Sequence, residues 1–304
     1  MTDIVWPKKS REIQNQHMDS TVWNSVNFRD TDIVIATYPK SGTTWSQQIV
    51  AQLLFNGAEG VQLTSHSPWI EYRVAKPERA ARLEAQTHRR FFKTHLPVDA
   101  LRFSPKAKYI YVGRDGRDVA WSMFNHYANA NDDYYKLFND TPGRIGPPLQ
   151  RPTGDAHDFY RRWFQDNGYP SLSFWETVRS WWNVRALPNV MLVHFNDLKA
   201  DLAGSVLSIG AFLDIPVRGR QFSRIVEHCS FAYMKAHADV IAPGSGTFWT
   251  GGAKTFINKG TNGRWRDTLS AAEIAAYDAR AGAELGPACA AWLAKGGRPQ
   301  VTNL

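Results

Sequence analysis

Short apolar runs, each ending in a polar or small-residue turn, divide the first part of the chain into strands and helices. Residues 32–38 are apolar and β-branched, which is typical of a strand buried on both faces. Residues 39–44 break that run with Pro, Gly and hydroxyl side chains. Trp45, Ile49 and Leu53 then recur at helical spacing, so the pattern predicts a strand, a small-residue turn and a helix.

The same alternation returns further along the chain. Residues 91–94, 108–112 and 190–195 are strand candidates. The first ends at His95 and Pro97, and each of the other two is followed by a polar turn and a helical region. Strands alternating with helices predict an α/β fold in a single domain, residues 1–304, with a central parallel sheet flanked by helices. Ligands of such sheets lie at the carboxyl ends of the strands, where the polar turns stand here.

Three stretches stand apart from this alternation. Residues 139–156 and 242–263 are rich in Gly and Pro, and we interpret both as active-site loops rather than domain linkers. Residues 1–30 form an N-terminal extension without the apolar core of a signal peptide.

Composition narrows the class of protein. With 43% hydrophobic and 13% aromatic residues the chain can bury a core, which excludes disorder, collagen and coiled coil. The net charge of +8 favours an anionic partner without choosing among phosphate, nucleic acid and membrane. There is no long basic run, and no apolar stretch of roughly 20 residues, so we expect neither a nucleic-acid nor a membrane partner. Two cysteines cannot build a disulfide framework, which indicates a cytoplasmic location.

The turn after the first strand has the parts of an anion cradle. A helix N-terminus offers unpaired N–H groups, Gly42 allows close approach, and Lys40 adds positive charge. Ser41, Thr43 and Thr44 add hydroxyl donors, although Ser and Thr are also common at ordinary helix starts. Because the lysine precedes the glycine, the spacing differs from a nucleoside-triphosphate P-loop and suits a smaller phosphate group.

At this point a resemblance becomes specific. Residues 37–45 (TYPKSGTTW) resemble the 5′-phosphosulfate loop of the cytosolic sulfotransferase family, which uses 3′-phosphoadenosine 5′-phosphosulfate (PAPS) as sulfuryl donor. Residues 93–97, 111–122, 229–231 and 259–266 resemble further family segments in the same order, over roughly residues 30–270. The resemblance implies a P-loop-like sulfotransferase fold and an enzyme that releases adenosine 3′,5′-bisphosphate (PAP).

The resemblance implies a nucleotide site for PAPS. Lys40 would stabilise the bridging oxygen, residues 41–44 would hold the 5′-phosphate, and Arg114 and Ser122 would bind the 3′-phosphate. Trp45 and Phe231 would enclose the adenine. The remaining candidate residues are Phe195, where the family often has Tyr, Asn258, where it usually has Arg, and Lys259 and Gly260.

The resemblance also implies the catalytic groups and the acceptor site. His95 would be the general base, Lys93 would assist the sulfuryl oxygens, and Trp69 and Phe124 would line the acceptor pocket. The many aromatic residues between 124 and 164 fit a phenol or another small apolar alcohol. No metal is implied. A homodimer is possible, but the family's dimer sequence is not recognisable in residues 266–275.

A kinase-like phosphotransferase is the alternative interpretation. In that case Asp197, which follows the last strand candidate, would hold magnesium.

Overall fold

A computed structural model describes residues 4–74 and 81–299 of the chain. In this part, four parallel strands form one sheet in the order β2-β1-β3-β4. The strands are β1 (Ile33–Thr37), β2 (Phe91–Thr94), β3 (Lys108–Gly113) and β4 (Val190–His194). All four predicted strands and the single α/β domain are therefore confirmed, while residues 1–3, 75–80 and 300–304 of the predicted domain lie outside the described residues.

Helices connect and cover the strands. They are α1 (Thr43–Leu54), α2 (Leu63–His66), α3 (Gly116–Ala128), α4 (Asp132–Asp140), α5 (Ala156–Gln165), α6 (Phe174–Asn183), α7 (Phe195–Ala200), α8 (Leu202–Phe212), α9 (Gly219–His228), α10 (Phe231–Ala236), α11 (Ala238–Ile241), α12 (Ala253–Phe256) and α13 (Ala271–Lys295). None of the helices within residues 4–74 and 81–299 is both long and apolar enough to cross a membrane.

Side chains along β1 point alternately to the two faces of the sheet, and each face packs against its own hydrophobic core. Ile33 and Ile35 face one layer, where they pack with Ile49 and Leu53 of α1. Val34 and Ala36 face the other layer, which holds most of the aromatic side chains. Because successive strand residues point to opposite faces, a strand covered on both sides must be apolar throughout, as all five residues of β1 are buried.

The two irregular segments contain more regular structure than their composition suggests. The first predicted loop begins inside α4, which continues to Asp140, and it ends where α5 begins at Ala156. The second contains a 3₁₀ turn, Pro243–Gly246, and the short helix α12. Short helical turns form here because glycines with positive φ, such as Gly246 and Gly251, reverse the chain between them.

The N-terminal segment packs against the core. Trp23 is fully buried, and its indole N–H donates to the Glu71 carboxylate at 3.0 Å. This contact ties residues before β1 to the loop that precedes β2. The N-terminal residues therefore help to shape the same end of the sheet at which the predicted site residues stand.

Candidate active site

The turn between β1 and α1 has the conformation of an anion cradle. Lys40 (φ 70°) and Gly42 (φ 110°) both adopt left-handed conformations, and α1 begins at Thr43 with its first N–H groups facing the turn. A Cβ at Gly42 would stand 2.9 Å from Cδ2 of Phe195, so this position requires glycine. The Ser41 hydroxyl is buried and has no hydrogen-bond partner among residues 4–74 and 81–299. A buried unpaired donor beside a helix N-terminus fits an anionic ligand such as a phosphate.

The threonines and Trp45 are fixed by neighbouring elements. The hydroxyl of Thr43 lies 2.6 Å from that of Thr37, which joins the start of α1 to the end of β1. Thr44 is half-buried in the first turn of α1. The Trp45 indole donates to the Cys229 carbonyl at 2.8 Å, and its ring stands edge-on to Phe195. Helix α1 is thereby tied to the segment that leads into α10.

Phe231 stands at the start of α10 with 43% of its surface exposed. Its ring covers Gly260, where a Cβ would stand 2.7 Å from the ring atoms. An exposed aromatic ring at the edge of the cradle fits the predicted stacking on a purine base.

His95 follows β2 and is held at three points. Its backbone N–H donates to Glu71 at 2.6 Å, and Nδ1 lies 2.8 Å from the Thr37 carbonyl oxygen and 3.2 Å from the Thr37 hydroxyl. Because a carbonyl oxygen only accepts, Nδ1 carries the hydrogen, and Nε2 presents its lone pair. Burial, with a further contribution from Lys93, lowers the His95 pKa to about 3. The ring is therefore neutral at physiological pH, which is the protonation state that a general base requires.

Trp69 and Lys93 stand beside this histidine. The Trp69 ring packs edge-on to His95 with centroids 4.9 Å apart, and the Lys93 ammonium lies 5.3 Å from the Trp69 ring centroid. The Trp69 indole donates to Glu71 at 2.6 Å. Phe124 lies on α3 with its ring 6.0 Å from that of Phe159. The structure thus brings Trp69, Lys93 and His95 together.

Glu71 organises this group although sequence reasoning gave it no role. It is fully buried, and it accepts hydrogen bonds from the His95 backbone and from the indoles of Trp69 and Trp23. Burial raises the pKa of its carboxyl group, and these hydrogen bonds oppose that effect. A carboxylate two residues after the predicted pocket residue Trp69 was the available sequence signal.

The Lys40 side chain reaches across the site to α3 and α12. Its Nζ lies 3.2 Å from Nδ1 of His126 and 4.7 Å from the Phe256 ring centroid. Burial, followed by the positive charges of Arg114 and Lys93, lowers the Lys40 pKa to about 7. Phe256 belongs to the second predicted active-site loop, so that segment contacts a predicted catalytic residue.

Arg114 follows β3 and connects the cradle to the late glycine-rich segment. It donates to the Lys40 carbonyl at 3.0 Å, to the Asn262 side-chain oxygen at 3.1 and 2.6 Å, and to the Thr261 carbonyl at 3.3 Å. Its guanidinium lies 4.2 Å from the Phe195 ring centroid. These acceptors are neutral, and the carboxylates of Asp118 and Asp115 also lie near the guanidinium. Burial lowers the Arg114 pKa to about 10, and the group stays charged near neutral pH.

The other predicted nucleotide residues lie on α3, on α7 and in the late glycine-rich segment. Ser122 is half-buried on α3, and Phe195 begins α7 rather than ending a strand, because β4 stops at His194, whose side chain caps that helix. Lys235 donates to the Asn258 carbonyl at 2.6 Å, and Lys259 is exposed. The late segment is held in place by Asp118, which accepts from the Gly263 N–H at 2.7 Å.

Asp197, which the kinase interpretation assigns to magnesium, is hydrogen-bonded to the backbone near the end of the described chain. Asp197 accepts the Gly297 backbone N–H at 3.0 Å with both carboxylate oxygens. It therefore ties α7 to the end of α13. Across the described residues, no group of three or more His, Cys, Asp or Glu side chains could hold a metal ion.

Sequence reasoning missed His126 as well as Asn262. His126 stands four residues after Ser122 on α3, so the two share a helix face, and this spacing was the available signal. Asn262 lay inside the motif around Lys259, but its contact with Arg114 spans 148 residues.

Comparisons with known proteins match most of this chain. Residues 30–287 match the sulfotransferase domain family. The chain is 32% identical over 303 residues to a protein named glycolipid sulfotransferase from Mycobacterium bovis, covering 92% of this chain and 93% of the relative. It is 31% identical over 265 residues to human sulfotransferase 2B1, and the match covers 84% of this chain and 66% of the human protein.

Solved structures show the same fold. A mouse sulfotransferase, SULT7A1, complexed with PAP is 23% identical, with a TM-score of 0.66 over 88% of this chain and 89% of that chain. Retinol dehydratase in complex with androsterone and inactive cofactor PAP is 24% identical, with a TM-score of 0.67, and the match covers 87% of this chain and 83% of that chain.

Proposed function

The chain belongs to the sulfotransferase family, and we propose that it transfers the sulfuryl group of PAPS to an acceptor hydroxyl with His95 as general base. The observation that carries this proposal is the concentration of positive charge at the carboxyl ends of β1, β2 and β3. Lys40, Lys93 and Arg114 surround a helix N-terminus that has an unpaired buried hydroxyl. Such a site is stabilised when an anion enters it.

The residues present fit PAPS, in which phosphate and sulfate are joined through one oxygen. Ser41 and the N–H groups at the start of α1 would hold the 5′-phosphate. Arg114, with Ser122 on α3, would hold the 3′-phosphate. Trp45 and the exposed ring of Phe231 would enclose the base.

Transfer requires one bond to form while another breaks. The acceptor oxygen forms a bond to sulfur, the bond from sulfur to the bridging oxygen breaks, and its electron pair stays on the 5′-phosphate. Lys40 would neutralise the charge that grows on that oxygen. The products are a sulfate ester, PAP and a proton taken from the acceptor hydroxyl.

His95 is suited to take that proton. The Thr37 carbonyl fixes its tautomer, and the Glu71 carboxylate fixes its backbone, so Nε2 presents a lone pair in a fixed direction. Its lowered pKa keeps this lone pair available at any physiological pH. Lys93, beside Trp69 in the same group, would contact the sulfuryl oxygens.

Two classes of acceptor have support. The aromatic walls around Trp69 support a phenol or another small apolar alcohol. A glycolipid hydroxyl is a second candidate, because relatives of that name match 92% of the chain. We also propose a cytoplasmic location, which the two free cysteines support. Sedimentation of the purified chain would determine whether it forms a homodimer.

Radiolabelled PAPS with a panel of phenols, alcohols, sugars and glycolipids tests the transfer. We expect label in at least one class, and H95N is expected to abolish turnover while PAP binding stays within a few-fold of wild type. R114A should weaken PAP binding far more than adenosine 5′-phosphate binding, whereas R161A at an exposed position should change neither. Saturation by ATP with no heat from PAP would contradict the proposal.

A further inference from the structure

We propose that His126, whose second nitrogen contacts Tyr134, is the hydrogen-bond acceptor that positions the Lys40 ammonium and keeps it protonated. This rests on the proposed function only in giving Lys40 its role at the bridging oxygen. The contacts of His126 with Lys40 and Tyr134 are made within the protein and involve no bound donor or acceptor molecule. They join three elements: the cradle, helix α3 and helix α4.

The geometry around His126 defines its two nitrogens. Nδ1 lies 3.2 Å from the Lys40 Nζ, and Nε2 lies 3.2 Å from the Tyr134 hydroxyl oxygen. An ammonium group only donates, so Nδ1 must present a lone pair. In the neutral ring the hydrogen is then on Nε2, and it is donated to Tyr134.

The surroundings keep this imidazole neutral. Rings of Tyr127, Tyr134, Trp249 and Phe256 lie within 6.1 Å of His126, measured between ring centroids. Burial first, and then the positive charge of Lys40, hold the His126 pKa well below its usual range. A neutral ring accepts from Lys40 across the physiological pH range, whereas a protonated ring would repel it.

Lys40 needs such an acceptor because its other charged neighbours oppose its charge. Arg114 and Lys93 both lower its pKa, and His17 and His95 face the same region as neutral rings. The Phe256 ring below the ammonium adds a weaker attraction. Of the contacts that the structure shows for Nζ, His126 is the one that accepts a hydrogen bond and directs one N–H.

Losing this acceptor should therefore lower the Lys40 pKa. A hydrogen bond to a charged group corresponds to a shift of about one to two pKa units. In H126F the ring is retained and the acceptor is lost. In H126N the side-chain oxygen can occupy the place of Nδ1, so the acceptor is kept. In Y134F the ring can adopt the opposite tautomer, which turns an N–H toward Lys40.

Competitive labelling measures the Lys40 pKa directly. Trace acetic anhydride is applied to the full chain over a range of pH, and mass spectrometry quantifies acetylation at Lys40. We expect the pKa to fall by one unit or more in H126F, to stay near the wild-type value in H126N, and to fall by an intermediate amount in Y134F. In the sulfuryl-transfer assay, the pH at which the rate declines on the alkaline side should fall by the same number of units as the Lys40 pKa. The KM for PAPS should change little.

H237F is the matched control, because His237 is an exposed histidine that bonds the Tyr233 carbonyl at 2.9 Å and lies on another face of the chain. It should leave the Lys40 pKa unchanged. Equal Lys40 pKa values in wild type and H126F would overturn the proposal, as would an H126N shift as large as that of H126F. If H126F does not fold, Y134F and H126N decide alone. The labelling needs no acceptor or donor, so its failure is distinct from failure of the proposed function.

Discussion

Replacing Gly42 with alanine tests whether the cradle requires glycine for both its backbone and its packing. Gly42 has φ 110°, which an L-residue with a Cβ rarely adopts. The added Cβ would stand 2.9 Å from Cδ2 and 3.4 Å from Cε2 of Phe195. Phe195 is buried between the cradle and Arg114, so its ring cannot move without disturbing the guanidinium that packs on it.

In G42A, the backbone strain and the contact with Phe195 are expected to cost similar amounts of unfolding free energy. The backbone conformation costs about 1–3 kcal/mol in alanine. Forcing the extra carbon against the Phe195 ring costs a further 1–3 kcal/mol or so. We therefore expect G42A to lose about 2–6 kcal/mol of unfolding free energy. Binding of PAP should weaken at least tenfold, because Arg114 follows the displaced ring.

Gly60 offers a matched control. It also has a positive φ, 68°, but a Cβ there would meet nothing within 4 Å. G60A should therefore show a backbone penalty of about 1–2 kcal/mol and no change in PAP affinity. Urea unfolding followed by fluorescence of the 12 tryptophans measures stability, and calorimetry with PAP measures binding.

A double-mutant cycle isolates the packing contribution. F195L shortens the side chain that the new carbon would meet, so G42A should cost less in the F195L background than in wild type. The expected coupling is about 1–3 kcal/mol. Equal losses of stability in G42A and G60A, with PAP affinity unchanged in both, would refute the assigned role of the Phe195 contact.

Two further predictions follow from buried charge. Sulfuryl transfer at low PAPS concentration should decline as pH rises through about 7, because the protonated form of Lys40 is the active one and burial with Arg114 and Lys93 lowers its pKa to that value. Because the pKa of His95 is about 3, protonation of His95 should not lower the rate between about pH 5 and 7. A rate that rises steadily from about pH 6 to 9 would contradict the role assigned to protonated Lys40. In the second, D32A should destabilise the fold by about 3–5 kcal/mol, since it removes the buried carboxylate that pairs with Arg90 at 2.5 Å and leaves this buried guanidinium with only the partly exposed Glu84 as a charged partner. D30A, which breaks only the exposed pair with Lys106, should leave the urea midpoint nearly unchanged, and similar losses in both variants would count against burial as the cause.

Local pattern was enough to predict the scaffold. The apolar run of β1, the small-residue turn and the helical spacing of Trp45, Ile49 and Leu53 each follow from neighbouring residues. The other three strands were predicted from short runs of apolar, aromatic and β-branched residues that end in polar turns. The parallel order also places each strand-end motif at one edge, which is why Lys40, His95 and Arg114 come together.

The partners of those residues depend on the tertiary structure. Glu71 holds His95 from 24 residues away, His126 meets Lys40 across 86 residues, and Asn262 meets Arg114 across 148. The glycine-rich segments also contain short helical turns that their composition did not predict.

What the sequence by itself determined was therefore the fold, the family and the residues that carry the expected chemistry. What only the tertiary structure decided was the tautomer of His95, the lowered pKa of Lys40 and the contact between Lys40 and His126. The physical reason is that secondary structure follows from local periodicity, whereas a proton's position and a pKa depend on burial and on charges that the fold brings close.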